Sequence, residues 1–551
     1  MNGLGARASS SALLLGFAML LAGSGCATSL SEYVHNGFKV GPNYLKPAAP
    51  VSERWIDSED ARVSNEPPQN WAWWRVFNDP VLDGLVQTAH AQNLTLREAG
   101  FRVIEARAIR GFTVGNLFPQ QQEAFGSYMR IQRSLESNLG LGGGAGGAGG
   151  GAGGFSIPRR FDLWQLGGQL AWELDFWGRF RRAVEAADAE LDATVEDYDD
   201  VLVILCSDVA STYVEIRTLE QRIRYARSNV HYQEGSLEIA EVQEAEGVAT
   251  RLDIAQAQTN VAQTAAAIPL LETQLRHAEN RLCVLMGIPP QELPQLLAGT
   301  SRIPTAPPQV AIGVPADLIR RRPDVRRAER EVAAQSARIG IAEAELYPAF
   351  TISGSIFLEA NRFENLFKST AVAGNVGPSF NWNILNYGRI LNLIRVEEAR
   401  FQQEVAQYQN VVLNANREAE DALVAFLLAQ EQARILRQGV IAAEESRDLV
   451  SALYRGGRAD FGRVFFAEFF LVQQQDAYAQ AEGAIAQALV NLYRALGGGW
   501  QLRLQPLPPL AVGPVVPIPA AEPLLPAAAD PEPLRFLPPP ADIEGPSLPE
   551  E

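Results

Sequence analysis

The sequence predicts a mixed α and β fold made of two structural repeats, each combining two β-strands with long coiled-coil helices. Three observations carry that prediction. First, the stretch Arg179 to Gly247 contains no proline, and its apolar or small residues recur at alternating spacings of four and three, as in Val184, Ala187, Leu191, Thr194, Tyr198, Leu202, Leu205, Val209, Thr212, Ile216, Leu219 and Ile223. That spacing is the seam of a helix packed against neighbours along its whole length, roughly 100 Å at 1.5 Å per residue. Second, the period changes to two from Trp164 to Phe176, where apolar residues alternate with Gln165, Gly167, Gln169, Ala171, Glu173 and Asp175. An alternation of that kind belongs to a strand with one apolar and one polar face. Third, Trp172 through Gly178-Arg179 lines up with Trp382 through Gly388-Arg389 at an offset of 210, and the same offset carries Gly247 onto Gly457 and Gly287 onto Gly497. Landmarks held at one ungapped offset indicate an internal duplication.

In chain order, residues 1–25 read as a bacterial secretory signal: Arg7, an apolar run Ala12–Ala22, then Gly23-Ser24-Gly25 before Cys26. Small residues ending in cysteine resemble a lipobox, which makes Cys26 a candidate lipidation site, although Gly23 stands where that pattern usually has leucine. Residues 26–75 form an extended, proline-bearing leader ending in Trp71, Trp73 and Trp74. The first repeat spans 76–290. It opens at Asp79-Pro80, an N-cap followed by proline at the first helical position, with one helix expected to run to about Gly115. Strands follow at about 120–134 and 162–176, joined by the glycine/alanine run 140–154, which cannot hold a core. The long helix is expected at 178–246 and a return helix at 250–286, with Pro269 inside it. A connector, 291–314, leads to the second repeat at 315–500, with strands at about 347–358 and 371–385, a long helix at 388–456 and a return helix at 460–496. The tail, 501–551, is rich in proline and alanine and reads as disordered.

Composition excludes several classes of function. The formal net charge is −17 with no basic segment, which argues against nucleic acid. Three cysteines, Cys26, Cys206 and Cys283, do not make a disulfide framework or a zinc site. The histidines His35, His90, His231 and His277 are scattered, no phosphate-binding loop follows a strand, and no nucleophile elbow is present. The sequence therefore points to no enzyme, no cofactor and no metal site. Apart from the N-terminus, no run of about 18 apolar residues exists to form a transmembrane helix.

The four amphipathic strands leave two readings open. A soluble sheet would cover its apolar face with helices. A membrane barrel would turn that face to lipid, and four strands cannot close a barrel or leave an open edge in lipid, so several copies would have to share one.

The motifs in order resemble the outer-membrane factors of the TolC/OprM type, especially the lipoprotein (NodT) branch serving resistance–nodulation–division (RND) efflux pumps. They are Val40-Gly-Pro-Asn-Tyr44, Phe77-Asn-Asp-Pro-Val-Leu82, Arg321-Arg-Pro-Asp-Val-Arg326, Tyr347-Pro348 and Trp382 through Arg389. The resemblance implies a TolC-like homotrimer whose twelve strands form an outer-membrane β-barrel, continued by a periplasmic α-barrel in which the short helices stack end to end. It implies a passive efflux conduit, partnered by a periplasmic adaptor and an inner-membrane RND-type pump, anchored in outer-membrane lipid. The turns Gly247-Val248-Ala249-Thr250 and Gly457-Arg458-Ala459-Asp460 would be the adaptor-docking tips. Relatives ring their narrowest point with acids, whereas the matching positions here hold Arg463 and Phe466. An aperture of Asp253 paired with Arg463, beside Tyr454 and Phe466, is the expectation. The competing function is a structural coiled-coil surface protein or adhesin without transport activity.

Overall fold

The computed structural model describes residues 28–64, 66, 71–132 and 160–504. The signal, Cys26, the glycine-rich run 140–154 and the tail beyond Leu504 lie outside the described residues.

Among the described residues, seven helices longer than ten residues carry the two repeats. In the first repeat they are α1 (Pro80–Gln92), α2 (Leu94–Gly115), α3 (Arg179–Ala245) and α4 (Arg251–Leu285). In the second they are α5 (Pro323–Ala344), α6 (Arg389–Arg455) and α7 (Phe461–Ala495). The duplication is metrically tight: α3 and α6 are both 67 residues long, α4 and α7 both 35, and α2 and α5 both 22. Helix α4 continues without interruption through Pro269.

The single helix expected from Asp79 to Gly115 is corrected to two. Asp79 does cap α1, accepting from the amides of Val81 and Leu82, but the chain turns extended at Asn93. The Asn93 side chain accepts from Leu96 N at 2.8 Å, capping α2, and donates to Leu285 O at 2.8 Å. Helix α4 therefore ends against the start of α2, and Gly287 lies so near this junction that a Cβ on it would sit 2.4 Å from Gln92 O. The second repeat builds the same joint from a different side chain. Arg322, before α5, donates from Nη1 to Ala495 O at 2.9 Å, the last residue of α7. Asn93 and Arg322 are related by an offset of 229, Leu285 and Ala495 by 210. Each joint satisfies a helix-terminal carbonyl that has no partner inside its own helix.

These joints make two end-to-end stacks, α2 on α4 and α5 on α7. Helix α3 packs against both stacks, whereas α6 packs against α5 and α7. The main core lies where α1, α3, α4, α6 and α7 meet, with Leu82, Leu202, Tyr213, Ile216, Leu282 and Phe426 fully buried. Trp73 belongs to it and stacks on Tyr493 with ring centroids 5.4 Å apart.

The leader is a strap along these helices. The buried Arg182 of α3 donates to Val40 O and Gly41 O, Arg181 to Gly37 O and Phe38 O, and Lys39 pairs with Glu185. Lys46 pairs with Glu329 of α5, and the Trp55 indole donates to Gly313 O at 2.9 Å. The motif Val40 to Tyr44 thus binds through its backbone, which hides the binding from composition.

The strands β1 (Gln121–Gln132), β2 (Arg160–Leu174), β3 (Ala349–Ala360) and β4 (Val372–Asn381) form one antiparallel sheet in that order. The strand expected to reach residue 385 stops at Asn381 instead. Trp382 turns to the base of the sheet, its indole donating to Leu346 O at 2.8 Å, as the Trp172 indole donates to Leu117 O at 3.2 Å. Both bonds tie the base of a strand to the turn after the preceding short helix, and both repeats make them at equivalent positions.

Candidate functional site

Pairing register decides which side chains share a face of the sheet. Trp164 pairs with Tyr128 and Ala360, Leu166 with Gly126 and Leu358, Trp172 with Ile352, and Phe350 with Phe380. One face therefore carries Tyr128, Trp164, Leu166, Leu170, Trp172, Leu174, Phe350, Ile352, Ile356, Leu358, Val372, Val376 and Phe380. No helix of the described residues covers it: Ile356 is 68%, Val376 81% and Phe380 68% exposed. That face is bounded by aromatic rows at both ends. At the far end, Tyr128 and Trp164 lie 4.4 Å apart, with Phe363 5.1 Å from Trp164. At the helical end stand Trp172, Phe350 and Phe380, the last two 6.3 Å apart. The eight residues between Trp164 and Trp172 span about 25 Å along the strand, the height of an outer-membrane apolar band.

The opposite face is largely polar along the band between Trp164 and Trp172. Gln169 donates to Glu123 at 2.8 Å, Gln165 to Glu359 at 2.7 Å, and Ser355 Oγ to Asn375 at 3.0 Å. An exposed apolar face bounded by aromatics, backed by a hydrated polar face, is what a sheet needs to stand between lipid and water. Among the described residues, no helix is long and apolar enough to cross a membrane.

At the other end of the arms lie the two turns, and they are backbone copies. Gly247 takes φ +76 and Gly457 φ +66, the left-handed region that glycine enters without a Cβ clash. Gly247 N donates to Glu244 O and Val248 N to Gln243 O; Gly457 N donates to Tyr454 O and Arg458 N to Leu453 O. Thr250 and Asp253 then form a capping box, with Thr250 N donating to Asp253 Oδ2 at 2.8 Å. In the second turn Asp460 caps α7 and accepts from Arg463 N at 3.2 Å. A small core of Ala240, Ala257, Tyr454, Phe461 and Val464 packs the two hairpin ends together. Tyr454 is buried, and that burial, reinforced by the charge of Asp253, pushes its phenol upward. The Val248 side chain at the first turn is 66% exposed.

The aperture residues are only partly brought together. Asp253 acts on Tyr454, but within one chain Arg463 pairs with Asp460, Nε to Oδ2 at 3.5 Å, not with Asp253. Each charged group is engaged by the helix cap beside it, so the expected Asp253–Arg463 pairing does not form inside the chain. Phe466 is 60% exposed, and it belongs to a larger aromatic group that was not singled out from sequence: Phe465 stacks on Phe469, and Phe470 is exposed beside them. The signal was present as two Phe-Phe pairs four residues apart on α7.

Farther up, Glu468 of α7 ties the two hairpins together. It accepts from Ser236 Oγ of α3 at 2.5 Å and from Asn260 Nδ2 of α4 at 2.9 Å, and burial raises its carboxyl above the usual range. Among the described residues, no group of three or more His, Cys, Asp or Glu side chains is arranged to hold a metal ion.

Known proteins share this architecture. The family model for outer membrane efflux proteins matches residues 85–288 and 314–498. Nodulation protein T of Rhizobium leguminosarum bv. trifolii is 29% identical over 84% of this chain and 95% of its own length. The pyoverdine export outer membrane protein OpmQ of Pseudomonas putida is 31% identical over 81% of this chain and 92% of its own. The solved outer-membrane channel OprN superposes with a TM-score of 0.75 at 31% identity, covering 84% of this chain and 99% of that one. With the same two-repeat, TolC-like architecture and matches across both repeats, this chain belongs to the outer membrane efflux protein family.

Proposed function

We propose that the protein is the outer-membrane channel of a tripartite efflux pump, a passive conduit that carries small molecules from the periplasm or the pump to the exterior. One observation carries the reading: a four-stranded sheet with an uncovered apolar face between two aromatic rows sits at one end of a helical body with free flanks. Four strands with open edges require partners, because unpaired backbone groups in hydrocarbon cost several kcal/mol each. Three copies would give twelve strands, closing the barrel and continuing it through the helices as a homotrimer. OpmQ is named for pyoverdine export and CusC of Escherichia coli for cation efflux, so the family members named here serve different cargoes.

The turns at Gly247–Thr250 and Gly457–Asp460 are assigned to docking of a periplasmic adaptor, which in turn joins an inner-membrane RND-type pump. Asp253, Tyr454, Arg463 and Phe466 are assigned to the periplasmic aperture. The Asp253–Arg463 pairing, absent within one chain where Arg463 pairs with Asp460, is assigned to contacts between neighbouring copies. Cys26 is assigned as the lipidated N-terminus of the mature protein. Palmitate-analogue labelling that persists in Cys26→Ala would refute that assignment.

The deciding experiment is reconstitution. Full-length protein from outer membranes is expected to run as heat-resistant trimers and to conduct ions in planar bilayers, with Arg463→Ala raising the conductance. A monomeric protein without conductance would overturn the conduit reading. Conductance unchanged in Arg463→Ala would overturn the aperture alone.

A further inference from the structure

The polar face of the sheet contains a feature that solvation does not explain. Two phenylalanines, Phe125 of β1 and Phe357 of β3, meet there across β2 with ring centroids 6.3 Å apart. The register places both opposite Gly167, which pairs with Phe125 on one side and Phe357 on the other. A side chain at Gly167 is sterically excluded: a Cβ there would lie 2.3 Å from Phe357 Cβ and 2.4 Å from Ile356 O. The missing side chain leaves the two rings side by side over bare backbone.

The rows on either side of this pair are both carboxylate–amide bonds. Toward the helices, Gln169 donates to Glu123 at 2.8 Å; toward the far end, Gln165 donates to Glu359 at 2.7 Å, with Ser127 Oγ donating to Gln165. On this face the described strand residues include the carboxylates of Glu123, Glu173 and Glu359, and Glu173 pairs with Arg179. Glu123 and Glu359 thus have amide partners, and no ion pair to either is present among the described residues. The chemistry is an aromatic surface flanked by two carboxylates, with Met129, Ile131, Phe161 and Leu163 on the same face farther from the helices. Aromatic faces attract cations and stack on flat rings, and a carboxylate beside them adds charge selectivity.

We propose that Phe125 and Phe357, set between Glu123 and Glu359, form a resting site for cationic aromatic cargo on the inner wall of the barrel. The proposal rests on the conduit reading, which turns the polar face toward the lumen, and it adds a substrate class to that reading. Three copies place three such sites around one lumen. Passing molecules with a flat ring and a positive charge dwell there, whereas anionic aromatics and non-aromatic cations pass without pausing.

The test is current blockade by defined probes in planar bilayers holding the trimer. Ethidium is the cationic aromatic, naphthalene-1-sulfonate the anionic one, and tetraethylammonium the non-aromatic cation. Ethidium residence is expected to shorten by about fivefold in Phe125→Leu/Phe357→Leu, which keeps apolar bulk and removes the rings. A comparable loss is expected in Glu123→Gln/Glu359→Gln, which keeps the amide bonds and removes the charge. Residence of the other two probes should not change. Heat-resistant trimers and an unaltered unblocked conductance verify that the variants fold. Ethidium residence within twofold of the parent in both variants would overturn the proposal and leave the conduit reading standing. A parent protein that does not conduct would overturn both.

Discussion

The two long arms are identical in length and reach equivalent turns, yet α3 buries 24 of its residues and α6 only 15. The difference is position. Helix α3 lies between the two stacks and is covered on both flanks; α6 touches one stack, and its other flank is bare. Leu413, Val424, Leu428, Ile435, Ile441, Leu449 and Leu453 of α6 are exposed, the last by 41% and Leu428 by 63%. Residues 428, 435 and 449 fall on one heptad column, the seam spacing of a helix awaiting a neighbour. Two copies of one ancestral arm have thus diverged into an inner stave and an edge stave. In the proposed conduit, the edge is where the next copy would pack.

The largest expected effect comes from spoiling that edge. Leu428→Glu with Ile435→Glu should leave each chain helical, because both side chains are exposed within it, but should prevent assembly. Each buried leucine or isoleucine contributes about 1.5–3 kcal/mol, and a closed trimer repeats the loss at three interfaces. Light scattering on the detergent-solubilised protein should find monomers; a stable trimer would show that α6 faces something else. The same change at Ile216 of α3, wholly buried, should instead unfold the chain, and far-ultraviolet circular dichroism separates the two outcomes.

The helical joints sharpen the comparison at intermediate magnitude. Arg322 is buried and bonds Asp324, Glu418 and Ala495 O together. Arg322→Ala takes the cation from Asp324 and Glu418, leaves Ala495 O without its donor and should cost about 3–5 kcal/mol. Its counterpart Asn93 is a neutral cap, so Asn93→Ala should cost about 1–2 kcal/mol. Urea unfolding of both variants measures the ratio. Equal losses would show that the joint works through shape and not through the groups that fill it.

How much of this was legible follows from where each cause lies. The arms, the strands and the duplication are written in local periodicity and in residues held at one offset. The break at Asn93 was not legible, since it exists to meet Leu285 O, 192 residues away in sequence. Strand faces could be read strand by strand, but the meeting of Phe125 and Phe357 over Gly167 needs the register. The aperture residues were drawn from a resemblance, and the pairing of Arg463 with Asp460 came from a helix cap three residues away, a competitor that the sequence already contained.

The smallest effect concerns a single proton, and the repeats supply its control. Asp200 of α3 is half-buried; burial and the neighbouring Asp324 carry its carboxyl up to about 6, against the opposing charges of Arg327 and Arg322. The corresponding position on α6, 210 residues on, is Asn410, which does not titrate. In an unfolded chain an aspartate titrates near 3.9. The folded chain therefore holds this proton more tightly between about pH 4 and 6, so the contribution is full below that window and is lost as pH rises through it. Asp200→Asn gives α3 the amide that α6 already has. Urea midpoints should be unchanged near pH 4 and higher than the parent's at pH 7, by about 1–3 kcal/mol in stability. A parallel pH profile for parent and variant would mean that Asp200 ionises in the fold as it does in water, with Arg322 and Arg327 outweighing its burial.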